Sequence, residues 1–222
     1  MSLPNTSLDM ADKMAVIDHL MRSAPVVPVL VVHDLAAAIP LARALVAGGL
    51  RVLEITLRTP AALDAVRAVA EAVPEAWVGT GTVRTPAQLD ASARAGAVFA
   101  VAPGGSPRLL DAAANHTLPL LPGAVTASEV MALEERGYTR QKFFPAVAAG
   151  GPGVLKAFSS PLAGVMFCPT GGIRAHTAHE WLALPNVACV GGSWVAPKDA
   201  VAAGDWARIE RLAGEAMMLR TA

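Results

Sequence analysis

From Val26 to the C-terminal region, short apolar runs alternate with longer amphipathic segments without a break, and no other feature limits the fold as much. Apolar runs of this length, bounded by glycine and proline, read as buried strands. Segments with apolar residues at i, i+3 and i+4 read as helices packed against them. VVPVLVV (26–32) precedes DLAAAIPLARALVAGG, where Leu35, Ile39, Leu41, Leu45 and Val46 fall near helical spacing and Gly48-Gly49 ends the helix. RVLEITL (51–57), AWVGTGTV, AVFAVAP, LPLLPG, RQKFFPA, GVMFCPTGG and NVACVGGSW follow, each ahead of a helical segment. Thr59-Pro60 and Thr85-Pro86 place a capping hydroxyl before a proline in the first turn of a helix. Strand–helix alternation requires a parallel sheet with helices on its outer face, and eight such units close into a (β/α)8 TIM barrel of the α/β class. The rival is a doubly wound open sheet, which usually carries G-x-G-x-x-G after its first strand; none is present. Residues 7–22 read as an extra N-terminal helix. No linker or break in composition interrupts residues 1–222, which predicts a single domain.

The chain is 54% apolar and 16% charged, so a large core is easily filled. Its 18 basic and 18 acidic residues cancel and form no run, which argues against nucleic acid as a partner while leaving room for a small anionic ligand held by local groups. The two cysteines, Cys168 and Cys189, lie in expected strands without metal-type spacing and read as buried free thiols of a reducing cytosol. The N-terminus has acids and no apolar h-region, and no stretch approaches the ~18 apolar residues of a membrane span. These features predict a soluble, cytoplasmic protein that does not engage a membrane.

In a barrel the chemistry sits at the C-terminal ends of the strands. The polar residues there are Glu54, Thr56 and Arg58 on the second strand, Thr80 and Thr82 on the third, Lys142 on the sixth, Thr170 on the seventh and Ser193 after the eighth. Lysine is scarce: positions 13, 142, 156 and 198 only, against fourteen arginines. Lys13 and Lys156 fall in expected helices and Lys198 in a loop, all read as solvated. Lys142 alone stands in an apolar strand, before Phe143-Phe144-Pro145. A low-dielectric barrel disfavours an ammonium, and the free amine is the form that attacks a carbonyl, so this position suits Schiff-base chemistry. The alternative is a strand-edge lysine snorkelling to solvent. In V-L-E-I-T-L the period of two puts Glu54 and Thr56 on one face with Arg58. The opposite face, Leu53, Ile55 and Leu57, packs on helices, so Glu54 points into the barrel. A lone carboxylate there is costly, and Arg58 or Lys142 could offset it. An acid beside a nucleophilic amine can also carry the protons that each carbonyl–amine step requires; the bland alternative is a structural Glu–Arg pair.

Thr170-Gly171-Gly172 and Gly191-Gly192-Ser193 end the last two strands, where barrels recurrently bind phosphate and where glycine lets backbone N–H groups converge on an anion. The histidines form no ligand set: His33 follows the first strand, and His176 and His179 stand at i, i+3 without a third partner, so no metal is expected. Trp181, Trp194 and Trp206 read as core or interface residues.

Taken together, LEITLRT, GTGTV, KFFPA, CPTGGI and GGSW closely resemble the motifs of the 2-dehydro-3-deoxy-6-phosphogluconate (KDPG) aldolases, bacterial class I enzymes of the Entner–Doudoroff pathway. The resemblance runs from Pro25 to the final helix, with the motifs in family order. It implies cleavage of a phosphorylated 2-keto acid to pyruvate and glyceraldehyde 3-phosphate, 4-hydroxy-2-oxoglutarate (KHG) as a second substrate, a homotrimer and no cofactor. Position by position it implies Lys142 as the Schiff-base former and Glu54 as the proton-transfer group. Arg58 would hold the pyruvate carboxylate, with Thr82 and Phe144 in the pyruvate pocket and Thr170 toward the hydroxyls. Gly171, Gly172, Gly191, Gly192 and Ser193 would hold the phosphate. The chain departs from the family in two places. Val147 stands where KFFPAE has a glutamate, and GTGTV replaces the commoner GAGTV. Three alternatives remain open: the galactonate-series aldolase, which differs at C4; a phosphate-barrel isomerase in which Lys142 is only electrostatic; and a non-catalytic sugar-phosphate-binding barrel.

Overall fold

β1 (Val26–Leu30) buries nearly every residue, as a strand covered on both faces must. It is followed by β2 (Val52–Thr56), β3 (Trp77–Gly81), β4 (Ala100–Val101), β5 (Leu120–Leu121), β6 (Gly123–Ala124), β7 (Arg140–Phe143), β8 (Met166–Pro169) and β9 (Val190–Gly192). The computed structural model describes residues 8–220. Between the strands lie α2 (Ala38–Ala47), α3 (Ala62–Ala72), α4 (Pro86–Arg94), α5 (Pro107–Asn115), α6 (Ala127–Glu134), α7 (Pro152–Phe158) and α8 (Ala178–Leu182), with α9 (Lys198–Ala203) and α10 (Trp206–Met217) after β9. Every strand pairing among the described residues is parallel.

Two sheets make up the barrel. One runs β5-β4-β3-β2-β1-β9 and the other β6-β7-β8. Single bridges, Phe167 to Val187 and Thr170 to Gly191, join β8 to the chain around β9. On the other side, β5 and β6 are halves of one expected strand, LPLLPG, interrupted at Pro122. Proline has no N–H to give to a ladder. Its carbonyl still accepts from the Lys142 N–H at 2.8 Å, so the wall stays continuous. Among the described residues, nine segments therefore occupy eight barrel positions, the expected (β/α)8 architecture.

Local chemistry sets several helix starts. Thr85 caps α4, accepting from Gln88 N with Pro86 in the first turn, and Thr126 with Glu129 forms a capping box on α6. Thr59-Pro60 departs from expectation: α3 begins at Ala62 without a side-chain cap, and the Thr59 hydroxyl donates instead to the Val32 carbonyl after β1. Lys198 is the exposed first residue of α9 rather than a loop residue.

The N-terminal helix, α1 (Met10–Arg22), starts at an Asp9 cap; residue 7 of the expected span lies outside the described residues. Its apolar stripe closes the N-terminal end of the barrel. Ile17, Leu20 and Met21 face Val27, Val52, Phe99, Val101 and Leu121 around a cavity of only about 20 Å³. Lys13, expected to be solvated, is 2% exposed. Its Nζ donates to the carbonyls of Ala113 (3.0 Å) and Ala114 (2.7 Å) at the end of α5, where a helix carries partial negative charge. Burial pushes its pKa below the usual lysine value, with Asp9 acting weakly the other way.

Asp18 makes the second tie, bonding both Arg22 and Arg140, the first residue of β7. Partial burial works against its charge, but the two arginines outweigh it and hold the pKa below the usual 3.8. A carboxylate with a depressed folded pKa stabilises the fold above its unfolded pKa, and this contribution disappears as pH falls through the folded value. Asp18→Asn should cost roughly 1 kcal/mol at neutral pH. Urea unfolding of both proteins should show the gap narrowing near pH 3; an equal gap at both pH values would mean that the charge contributes nothing.

Candidate active site

Strand alternation places Glu54 and Lys142 in the bore. β2 and β7 are four strand positions apart whichever way the barrel is followed, so the two side chains reach toward each other from opposite walls. Lys142 Nζ lies 3.3 Å from Glu54 Oε1, with the residues 5% and 3% exposed. An ion pair this buried is a poor choice for stability alone, because desolvating both charges costs about as much as their attraction returns. The amine also sits 5.4 Å from the centre of the Phe144 ring, which walls one side of it. The lysine does not snorkel. Glu54 pairs with Lys142 rather than forming the structural Glu–Arg pair.

Thr56 and Arg58 form the rim next to Glu54. The Thr56 hydroxyl donates to the Leu30 carbonyl at 2.8 Å and accepts from Arg58 Nε at 3.1 Å, which anchors the otherwise exposed arginine above β2. Thr82, just past the end of β3, has φ of +62°, an outlying backbone for a β-branched residue. Such strain persists where the surroundings over-determine it, and it concentrates at functional sites. Thr80, weighed as a strand-end candidate, faces away: its hydroxyl donates to Ser92 Oγ on α4 at 2.8 Å, in the helix layer.

Thr170 is buried at the end of β8. Gly171 and Gly172 follow with φ of +107° and +81°, a conformation that L side chains rarely adopt. Ala146 N–H donates to the Thr170 carbonyl and Val147 N–H to the Gly171 carbonyl, so this turn is laced to the loop after Lys142. The Thr170–Gly191 bridge brings the second glycine pair beside the first, and Ser193 is exposed next to them. The two glycine motifs thus form one patch on the rim. Val147, half exposed, packs its branched side chain on the side of Gly172 where a Cβ would point.

Sequence reasoning assigned Cys168 and Cys189 only as buried thiols, which they are. It missed that Cys168 is the direct register partner of Lys142 and lines the small cavity below Glu54. Contact with Cys189 lowers its thiol pKa against the effect of burial, and the Lys142 charge adds to the lowering. The signal was available: Cys168 is two residues before Thr170, on the same strand face. Among the described residues, no group of three or more His, Cys, Asp or Glu is placed to hold a metal ion. No described helix is long and apolar enough to cross a membrane.

A buried amine facing a buried carboxylate, inside a parallel barrel with two glycine turns side by side on its C-terminal rim, defines the Schiff-base lyase class, the class I aldolases. Residues 17–212 match the family described as KDPG and KHG aldolase. The chain is 52% identical to the KHG/KDPG aldolase of Escherichia coli K12, across 90% of this chain and 94% of that protein. It is 53% identical to a 2-dehydro-3-deoxy-phosphogluconate aldolase of Pseudoalteromonas atlantica, across 87% and 90%. A KDPG aldolase from Legionella pneumophila, solved with pyruvate captured as a covalent carbinolamine intermediate, superposes with a TM-score of 0.88 at 46% identity, covering 90% of this chain and 97% of that one. The chain belongs to the KDPG and KHG aldolase family.

Proposed function

We propose that this chain cleaves 2-dehydro-3-deoxy-6-phosphogluconate to pyruvate and glyceraldehyde 3-phosphate, and 4-hydroxy-2-oxoglutarate less efficiently. The observation that carries this reading is the Lys142–Glu54 pair, 3.3 Å apart across the bore. Lys142 Nζ attacks the C2 ketone, and Glu54, within proton-transfer reach of that nitrogen, assists loss of water to give an iminium. The cationic nitrogen draws in the C3–C4 bonding electrons as the C4 hydroxyl loses its proton. Glyceraldehyde 3-phosphate leaves, the enamine takes a proton at C3 with Glu54 as acid, and hydrolysis releases pyruvate. Arg58 holds the pyruvate carboxylate in the orientation that Thr56 gives it, with Thr82 and Phe144 around the three-carbon unit. Thr170 contacts the hydroxyl side of the substrate. Gly171, Gly172, Gly191, Gly192 and Ser193 take the phosphate through backbone N–H groups. The motif resemblance also supports a homotrimer working in the cytoplasm.

The glycine patch is tested with paired substrates. 4-Hydroxy-2-oxoglutarate ends in a carboxylate at C5, one carbon short of the C6 that carries the phosphate in the sugar acid, and so has no group to place in the glycine patch. Charge-assisted hydrogen bonds are worth about 1.5–3 kcal/mol each. Losing one or two should lower kcat/KM for the shorter substrate by at least roughly tenfold. Equal kcat/KM for both would refute the phosphate assignment and leave the amine chemistry standing.

A further inference from the structure

Gly81 ends β3 inside the barrel wall, in register with Thr56 on β2. Its φ is not in the left-handed region, so the backbone does not require glycine here. The space does. A Cβ built on Gly81 would overlap the Glu54 carboxylate and lie 2.7 Å from both Cγ and Cδ of that side chain. Glu54 crosses this point to reach Lys142. The same arrangement recurs on β9, where a Cβ on Gly191 would overlap the Thr170 hydroxyl and lie 2.9 Å from its Cγ2. Each polar side chain is thus seated over a bare α-carbon of a neighbouring strand.

We propose that Gly81 is a positioning residue for proton transfer: its missing side chain is the slot that lets the Glu54 carboxylate lie beside Lys142. The proposal rests on the reading of Glu54 as the proton-transfer group. The overlap runs from the carboxylate back to Cγ of one flexible side chain, so an added methyl can be relieved by swinging that side chain, and the carboxylate with it, away from Lys142. Strand pairing, through Leu57 N–H to the Gly81 carbonyl at 2.8 Å, does not depend on the side chain. Gly81→Ala should therefore spare the fold and Lys142 while displacing the acid. A displacement of about 1 Å in a reacting group can cost about 10²-fold in rate.

The test compares wild type, Gly81→Ala, Glu54→Asp and the double variant. Exchange of pyruvate methyl protons with solvent, followed by NMR, reports proton transfer at the enamine. The final extent of pyruvate labelling under borohydride reports the amine, and thermal unfolding reports the fold. Gly81→Ala should label to completion, keep its pyruvate KM within a few-fold, and lose about 10²-fold in exchange. Aspartate ends one carbon earlier, so only its Cγ, 2.7 Å from the added methyl, has to shift, and the double variant should exchange faster than Gly81→Ala alone. A purely structural glycine would show no such rescue. Wild-type exchange in Gly81→Ala, or independent losses that multiply in the double variant, would overturn the proposal. If Gly81→Ala does not fold, the double variant must fold and exchange like Glu54→Asp; failure of both to fold would mean that the strand, not Glu54, needs the glycine. Glu54→Gln separates the two levels: slow exchange there with normal exchange in Gly81→Ala sinks only the slot, whereas normal exchange in Glu54→Gln sinks the reading beneath it.

Discussion

Pyruvate and borohydride together should inactivate the enzyme irreversibly and leave a reduced pyruvyl group on the peptide that contains Lys142. Borohydride reduces an imine to a secondary amine, which cannot hydrolyse, so the covalent step is recorded at the residue that formed it. Lys13 offers the sharpest internal comparison, because it too is buried. Its Nζ, however, is held by two carbonyls at the closed end of the barrel, away from the rim. Lys156 and Lys198 are exposed on helices and lack a neighbouring acid in the bore. Lys142→Met keeps the length and apolar stem but removes the nucleophile, and should lower cleavage by at least roughly 10⁴-fold, as loss of a covalent nucleophile does elsewhere. It also leaves Glu54 buried without its cation, so its melting temperature must be measured beside its activity. Mass added at Lys13, Lys156 or Lys198, or no label at all, would end the Schiff-base assignment.

Glu54→Gln should slow cleavage and the exchange of pyruvate methyl protons by about 10²–10⁴-fold, the usual cost of losing a general acid–base group. Glutamine preserves the shape but cannot take up and return a proton. KM should move little, since the lost interaction belongs to the transition state. Arg58→Lys provides the contrast. It keeps the charge but loses the fork that matches a carboxylate, so KM should rise, with any fall in kcat coming from misplacement of C2 relative to Lys142. Exchange measured without aldehyde isolates the enamine step. Should Glu54→Gln exchange at the wild-type rate, Glu54 is only a counter-ion for Lys142, and the proton must travel by another group.

The barrel itself was legible in the chain because strand and helix periods differ and each unit announces itself locally. Glu54 and Lys142 stood out because both interrupt apolar strands, where burying a charge is costly, and because lysine is otherwise scarce in the chain. Their common destination was less legible. Residues 54 and 142 are far apart in sequence, and only closure of the barrel puts β2 opposite β7. Lys13 shows the limit from the other direction. Its helical period suggested a solvated position, yet the end of α5, distant in sequence, supplies the carbonyls that bury it. Thr80 and Thr82 could not be told apart by the pattern alone, because a polar residue in a strand can satisfy itself in the helix layer as well as in the bore; the bond to Ser92 places Thr80 in the helix layer.

The motifs of the chain determined by themselves which polar side chains stand at the strand ends as candidates, where the glycine turns fall, and the family. A motif is a statement about which atoms are available, and those are covalent facts. Tertiary structure alone decided how the atoms meet: the 3.3 Å approach of Lys142 to Glu54, the bare Gly81 beneath that carboxylate, and Cys168 alongside Lys142 on the next strand. These depend on register and closure, which sum small local twists over the whole sheet, and no single segment contains that sum.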